Sequence, residues 1–352
     1  MRAVVLTEFG GPEVLCCTEV LRPRPGPGEV LIKIACCGVC HLDLILRSGM
    51  RSRLQPPRIL GHELSGEVIE TGPGVQGLAQ GDRVASFNFQ ACGHCADCLR
   101  GRPSLCRQTH GDIGQTRDGG YAEYAVLLAS NLVKVPAGMP LDHACFAACV
   151  YGPPYKAIRQ IGKVGPGQNV VITGASGGLG LAAIQIVKAL GGRSIAITTS
   201  ADKVAGLKAR ADEVVVSPDG AFGEDVRRLT GGRGADLVVE LIGSPTFHGA
   251  LRSLAPGGRC AVIGELHGKP IEINLGLLII KEWEIRGVQS ASGEDLREIL
   301  DFMHEHRLAP VVWKRMPLED VADAHRELAN REAIGRILLV PSLAPSYAST
   351  AS

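Results

Sequence analysis

Val170-Val171-Ile172-Thr173-Gly174-Ala175-Ser176-Gly177-Gly178-Leu179-Gly180 is a short apolar run that breaks into a glycine-rich turn, and LAAIQIVKALG after it reads as a helix. Glycine is needed where a chain turns sharply, where its backbone must come close to a pyrophosphate, and where the helix lies tight on the strand. The helix N-terminus then attracts the phosphate charge. The motif alone is common; a strand before it and a helix after it make it a dinucleotide-binding turn. Gly174, Ser176, Gly177, Gly178, Leu179 and Gly180 are therefore candidate cofactor contacts.

The same alternation continues downstream. SIAITTSADKVAGLKARA, EVVVS, DLVVELIG, RCAVIGE and EIRGVQS are apolar strands, several of them followed by helical segments. Strands of this kind imply a parallel sheet covered on both faces. At the end of the second strand, where a carboxylate would meet a free ribose 2′-hydroxyl, stand Thr198, Thr199 and Ser200, with Lys203 shortly after. Hydroxyls and an ammonium receive a 2′-phosphate that a carboxylate would repel. Thr199, Ser200 and Lys203 thus favour NADP(H) over NAD(H).

Upstream of the turn the pattern differs. AVVLTEF, EVLIKIACCG, SGEVIETG, DRVASF, YAEYAVL and LVKVP are short β-branched runs cut by turn signals such as PRPGPGE, which suggests an irregular β-barrel. The last stretch gives a helix (GEDLREILDFMHEH), a second helix (LEDVADAHRELANRE) and a strand (GRILLV), then a small, polar tail with the composition of a disordered segment.

Within the β-rich part, Cys36–Glu63 carries a thiolate at Cys40, a carboxylate at Asp43 and the pair His62-Glu63, with Gly38 and Gly61 expected to let the backbone turn. Thiolate and imidazole suit Zn2+, whose catalytic sites take three protein ligands and keep a position open. This stretch supplies two. Separately, Cys92, Cys95, Cys98 and Cys106 are spaced by two, two and seven residues, a spacing that wraps one tetrahedral ion and leaves no open position. That site is structural, and His94 inside it is not needed as a ligand.

The bulk numbers set limits. At 352 residues two domains are expected, and 37 basic against 36 acidic side chains gives no reason to expect nucleic acid or a membrane surface as partner. No run reaches the ~18 apolar residues of a membrane span, so a cytoplasmic protein is expected. Its 12 cysteines then point to metal or redox chemistry before disulfides.

Taken in order, Cys40, His62-Glu63, the four-cysteine lobe and the later glycine turn resemble the zinc-containing medium-chain dehydrogenase/reductase family of alcohol dehydrogenase type. The resemblance implies an α/β fold: a GroES-like β-barrel catalytic domain with a structural zinc lobe, and a Rossmann doubly wound parallel sheet. The implied boundaries are 1–150 for the catalytic domain (lobe 91–107), 151–289 for the Rossmann domain, 290–341 for the return to the catalytic domain, and 342–352 for the tail. It directs attention to CysValTyrGlyProProTyrLys, where Cys149 precedes Tyr155-Lys156 as the family's third ligand precedes its Tyr-Lys pair, and so prefers Cys149 to Cys145. Asp43 would then orient His62, and Glu63 would be a possible ligand when substrate or water leaves. By the same resemblance His41 and Arg336 contact the cofactor pyrophosphate, and two zinc ions are bound per chain. The remaining cysteines (Cys16, Cys17, Cys36, Cys37, Cys145, Cys260) would pack as small apolar residues.

The implied activity is hydride transfer between NAD(P)(H) and a small-molecule alcohol, aldehyde or ketone. One departure stands out. Where many members carry a hydroxyl and then a histidine to lead the alcohol proton away, this chain has Leu42 and Ile45, and neither carries a proton. Glu63, Tyr151 or water would have to substitute. ITTSADK, AACVYGPPYKAIRQI and LIGSPTFHGALRSLAPGGR look similar to NADPH-dependent acryloyl-CoA reductases, which reduce a conjugated C=C, and the arginines at 47, 51, 53 and 58 would suit an anionic tail if they are not merely a solvated face. A fold kept without catalysis is a minor alternative. The apolar run INLGLLIIKEWEIRG falls where relatives join subunits, so a homodimer or homotetramer is expected.

Overall fold

A computed structural model describes residues 1–50, 53–265, 268–330 and 333–344. The chain divides into two compact units, Met1–Cys149 with Ser290–Ser352, and Val150–Gln289.

The first unit holds two sheets. In the larger, Glu29–Val39 is central: it pairs antiparallel with Glu63–Thr71, with Tyr124–Leu128 and with Arg336–Leu339. Arg83–Ser86 and Leu132–Lys134 extend one side, and Val312–Met316 runs parallel to Arg336–Leu339 on the other. A three-stranded sheet of Leu15–Glu19, Arg2–Leu6 and Arg58–Ile59 stands apart from it. EVLIKIACCGV reads as one nearly continuous apolar strand because both of its faces are covered: Val30, Leu31, Ile32, Cys36, Cys37 and Val39 are almost inaccessible. The helix Gly293–Glu305 begins on a capping box, Ser292 Oγ accepting from the Asp295 N–H while Asp295 accepts from the Ser292 N–H at 2.8 Å.

The second unit is one parallel sheet of six strands in the order Glu213–Val216, Arg193–Thr198, Asn169–Ile172, Ala235–Glu240, Leu254–Val262, Glu284–Gly287. Chain order reverses between Asn169–Ile172 and Ala235–Glu240, and open α/β sheets bind ligands beyond the carboxyl ends of their strands at such a reversal. Among the described residues no helix is long and apolar enough to cross a membrane. The tail expected over 342–352 lies mostly outside the described residues.

Candidate metal centre and cofactor turn

Four side chains from three places in the first unit meet. Cys40 follows Glu29–Val39 directly and is the N-cap of the helix His41–Arg47. Asp43, at the third helical position, accepts the Cys40 N–H at 2.9 Å, so the helix start itself holds ligand and carboxylate in register. His62 and Glu63 are carried by Gly61, whose φ of +91° is one that L side chains rarely adopt. A Cβ there would also press on the Tyr121 ring and come within 2.8 Å of Cys37 Sγ. Gly38 has a different reason to be glycine. It lies inside the strand opposite Glu63, not in a turn, and a Cβ would collide with the Glu63 carboxylate and the Phe146 ring. Cys149 sits on the wide π-type turn Ala147–Tyr151.

One donor atom from each of Cys40, His62, Glu63 and Cys149 lies within 4.8 Å of every other. His62 Nε2 faces Cys149 Sγ at 3.7 Å, while Nδ1 is turned to Asp43 Oδ1 at 3.1 Å. Cys149 donates to Cys40, which with Arg336 and His62 nearby drives the Cys40 thiol well down; the shared proton correspondingly holds Cys149 up. Burial pushes the Glu63 carboxyl up against the pull of Arg336. Glu63 Oε1 pairs with Arg336, whereas Oε2 is buried with no hydrogen-bond partner. Two sulfurs, an imidazole nitrogen and an orphaned carboxylate oxygen form a donor set that fits Zn2+. Arg336, expected at a pyrophosphate, is only 4% exposed and is engaged with Glu63 and the Phe146 ring. His41 is exposed at the first residue of its helix.

The second cluster is more regular. Between Cys92, Cys95, Cys98 and Cys106 four of the sulfur pairs are separated by 3.5 to 3.9 Å. A tetrahedron with metal–sulfur bonds of about 2.3 Å has edges of about 3.8 Å, so this lobe too fits Zn2+. His94 is exposed, its Nδ1 2.9 Å from the Cys92 carbonyl.

In the second unit Gly174 takes φ +58°, Gly177 caps the helix Gly178–Ala189, and a Cβ on Gly180 would strike the backbone of Gly174 and Ala175. Ser176, Gly178 and Leu179 are partly accessible along the same turn. Thr199 is exposed and Ser200 partly so beyond Arg193–Thr198, with Lys203 ending the following 3-10 turn.

Besides the place of Gly38, three expectations change. The arginine run is not one face: Arg47 is buried against His325 and the Gly10 carbonyl, Arg58 pairs with Asp118 at 3.0 Å, and Arg51 lies outside the described residues. Tyr151 is buried with its hydroxyl on Gln185 Oε1 at 3.0 Å and is pushed up by burial, which unsuits it as a proton donor. Of the six remaining cysteines, Cys16 is exposed and Cys17 half-buried, both on the strand Leu15–Glu19; only the other four are core residues.

The sequence left three buried polar residues unnoticed. Tyr121 donates to Asp43 Oδ2 at 3.0 Å, and His325 stands between Tyr121 and Arg47. Glu240, at the carboxyl end of its strand, accepts from Thr173 Oγ1, Thr246 Oγ1 and the N–H groups of Ile242 and Gly243, which ties the glycine-turn strand to the next loop. ADLVVE signals only an apolar strand, and nothing in its spacing marks the last residue.

Residues 26–137 match the family model described as alcohol dehydrogenase GroES-like domain, and residues 178–305 the one described as zinc-binding dehydrogenase. The chain belongs to the zinc-containing medium-chain dehydrogenase/reductase family. It is an oxidoreductase of two-domain α/β architecture, in a family that uses zinc and a nicotinamide. The chain is 35% identical over 324 residues to an acryloyl-coenzyme A reductase of Sulfurisphaera tokodaii, covering 92% of this chain and 95% of the relative. The crystal structure of AibC superposes with a TM-score of 0.92 at 44% identity, covering 97% and 96% of the two chains. A cobalt- and zinc-bound thermostable alcohol dehydrogenase from Pyrobaculum aerophilum gives a TM-score of 0.86 at 32% identity over 97% and 99%.

Proposed function

We propose that this family member is an NADPH-dependent reductase of a conjugated C=C activated by a carbonyl, with an α,β-unsaturated thioester as first substrate class. The observation that carries this reading is Leu42 and Ile45 on the helix His41–Arg47, at the positions that by the family resemblance would hold an alcohol's proton relay. Reducing a conjugated C=C places hydride from NADPH on the β-carbon and a proton taken up from water on the α-carbon, so the proton is consumed at carbon and none has to be led away from a hydroxyl. The relative named acryloyl-coenzyme A reductase supports it. The second reading, reduction of a simple carbonyl, is supported by the alcohol dehydrogenase relatives at similar identity.

In either case Cys40, His62 and Cys149 hold one zinc, with Glu63 in reserve, and Cys92, Cys95, Cys98 and Cys106 hold a second. Bound there, the first ion would polarise the substrate oxygen as a Lewis acid, and the nicotinamide would supply hydride. The residues' own work is to position and compensate charge. Asp43 fixes His62 by its Nδ1, Arg336 balances Glu63, and Gly174 to Gly180 bring backbone N–H groups to the pyrophosphate. Thr199, Ser200 and Lys203 receive the 2′-phosphate. Residues 1–150 with 290–341 form the catalytic domain and 151–289 the nucleotide domain. None of the twelve cysteines is joined in a disulfide, which suits a reducing cytoplasmic compartment.

Following NADPH and NADH oxidation with acryloyl-CoA, crotonyl-CoA and simple aldehydes tests the assignment. Turnover of thioesters with NADPH is expected. Turnover of aldehydes alone selects the second reading, and equal use of NADH removes the cofactor preference.

A further inference from the structure

Asp43 has more partners than a carboxylate orienting one imidazole needs. Its Oδ1 takes the His62 Nδ1–H, and its Oδ2 takes both the Cys40 N–H at 2.9 Å and the Tyr121 hydroxyl at 3.0 Å. Behind Tyr121, from the helix Val321–Ala329, comes His325, its Nε2 3.4 Å from the phenol oxygen and its ring edge-on to the tyrosine. Arg47 closes the row, Nη1 3.1 Å from His325 Nδ1 and Nε 3.1 Å from the Gly10 carbonyl. Asp43, His62, Tyr121 and His325 are each at most 1% exposed, so within this row no water competes for these bonds.

The direction of every bond follows from chemistry. A guanidinium only donates and a carboxylate only accepts. Arg47 therefore donates to His325 Nδ1, which leaves the neutral ring's hydrogen on Nε2. Nε2–H donates to the Tyr121 oxygen, and Tyr121 O–H donates to Asp43. Burial supports both protonation states: it pushes His325 down to about 4 and, with Asp43, drives Tyr121 well up. Asp43 is thereby held as an acceptor for His62 Nδ1–H, and only Nε2 of His62 keeps its lone pair toward the cysteines. We propose that Tyr121 and His325 are positioning residues of the metal centre, a one-way donor row that fixes the tautomer and orientation of His62. This rests on the reading of Cys40, His62 and Cys149 as zinc ligands.

Zinc content and affinity of the purified holoprotein test it, using competition with 4-(2-pyridylazo)resorcinol, with the four-cysteine lobe as an internal control that the row does not include. Wild type is expected to hold two ions. Tyr121→Phe and His325→Leu are expected to release one of them about tenfold more readily, to keep the other, and to shift the visible bands of the cobalt-substituted site. His325→Gln, which can still accept from Arg47 and donate toward Tyr121, is expected to recover most of the affinity. Lower melting temperatures with unchanged affinity and cobalt spectrum would make the two residues structural only and overturn the proposal. A wild type holding a single ion would overturn the ligand assignment and the proposal with it.

Discussion

Gly61 shows how one residue can decide where another points. Its left-handed backbone turns the chain into His62, and the missing Cβ leaves room for the Tyr121 ring. Gly61→Ala is expected to cost about 1–3 kcal/mol, from left-handed strain and overpacking together; thermal unfolding measures it, and a melting temperature equal to wild type would contradict the strain. Cys149→Ser should reduce zinc from two ions to one while hydride transfer falls to background, read by metal analysis beside NADPH oxidation. His325 yields a pH dependence. Burial, helped by the Arg47 charge and opposed by Asp43, pushes it down to about 4 from the ordinary 6.5 of the unfolded chain, so the unfolded chain binds the extra proton between those values; Tyr121 also faces it. Stability from this residue is complete above about pH 6.5 and is lost as pH falls toward 4, by roughly 3 kcal/mol in all. His325→Gln should therefore lose less stability than wild type between pH 7 and 5 in denaturant titrations.

At the level of elements, what could be foreseen depended on whether a residue's partner is local. The glycine turn, the paired cysteines of the lobe and the strand-to-helix start at Cys40 are short-range devices, and their spacing is written in the chain. Cys149 needed a family resemblance, because nothing nearby says which sulfur reaches His62. Tyr121 and His325 lie 78 and 204 residues apart from their partners Asp43 and Tyr121, and no periodicity encodes such a meeting. Gly38 was foreseen as a turn residue and proves to be a gap in a strand that makes room for Glu63 and Phe146. The lobe carries its own prediction. Leu99 and Leu105 are 75% and 45% exposed, so burial alone offers little to hold this segment. On the proposed reading, the metal held by the four cysteines supplies its order. Cys95→Ser should expose Arg100, Arg102 and Arg107 to rapid trypsin cleavage, and a variant as resistant as wild type would show that the lobe is held some other way.

Across the whole molecule, the helix Leu275–Ile280 leaves Leu275, Ile279 and Ile280 at 66%, 74% and 77% exposed beside the edge strand Glu284–Gly287. Such a patch together with an open strand edge suits a second copy of the chain. Ile279→Glu with Ile280→Glu is expected to turn a dimer or tetramer into monomers by light scattering; a wild type already monomeric would remove the assembly. The first unit has a further property. Arg336–Leu339 fills the place between Val312–Met316 and Glu29–Val39, pairing Ile337 with Val39 about 300 residues earlier. On the ribosome, residues 150–289 emerge complete while that slot still waits for its last strand, and the arginine that balances Glu63 arrives with it. Completion of the metal site thus waits on synthesis of residues 336–339, and a ribosome stalled shortly before residue 336 should carry a folded second unit and an unfinished first one.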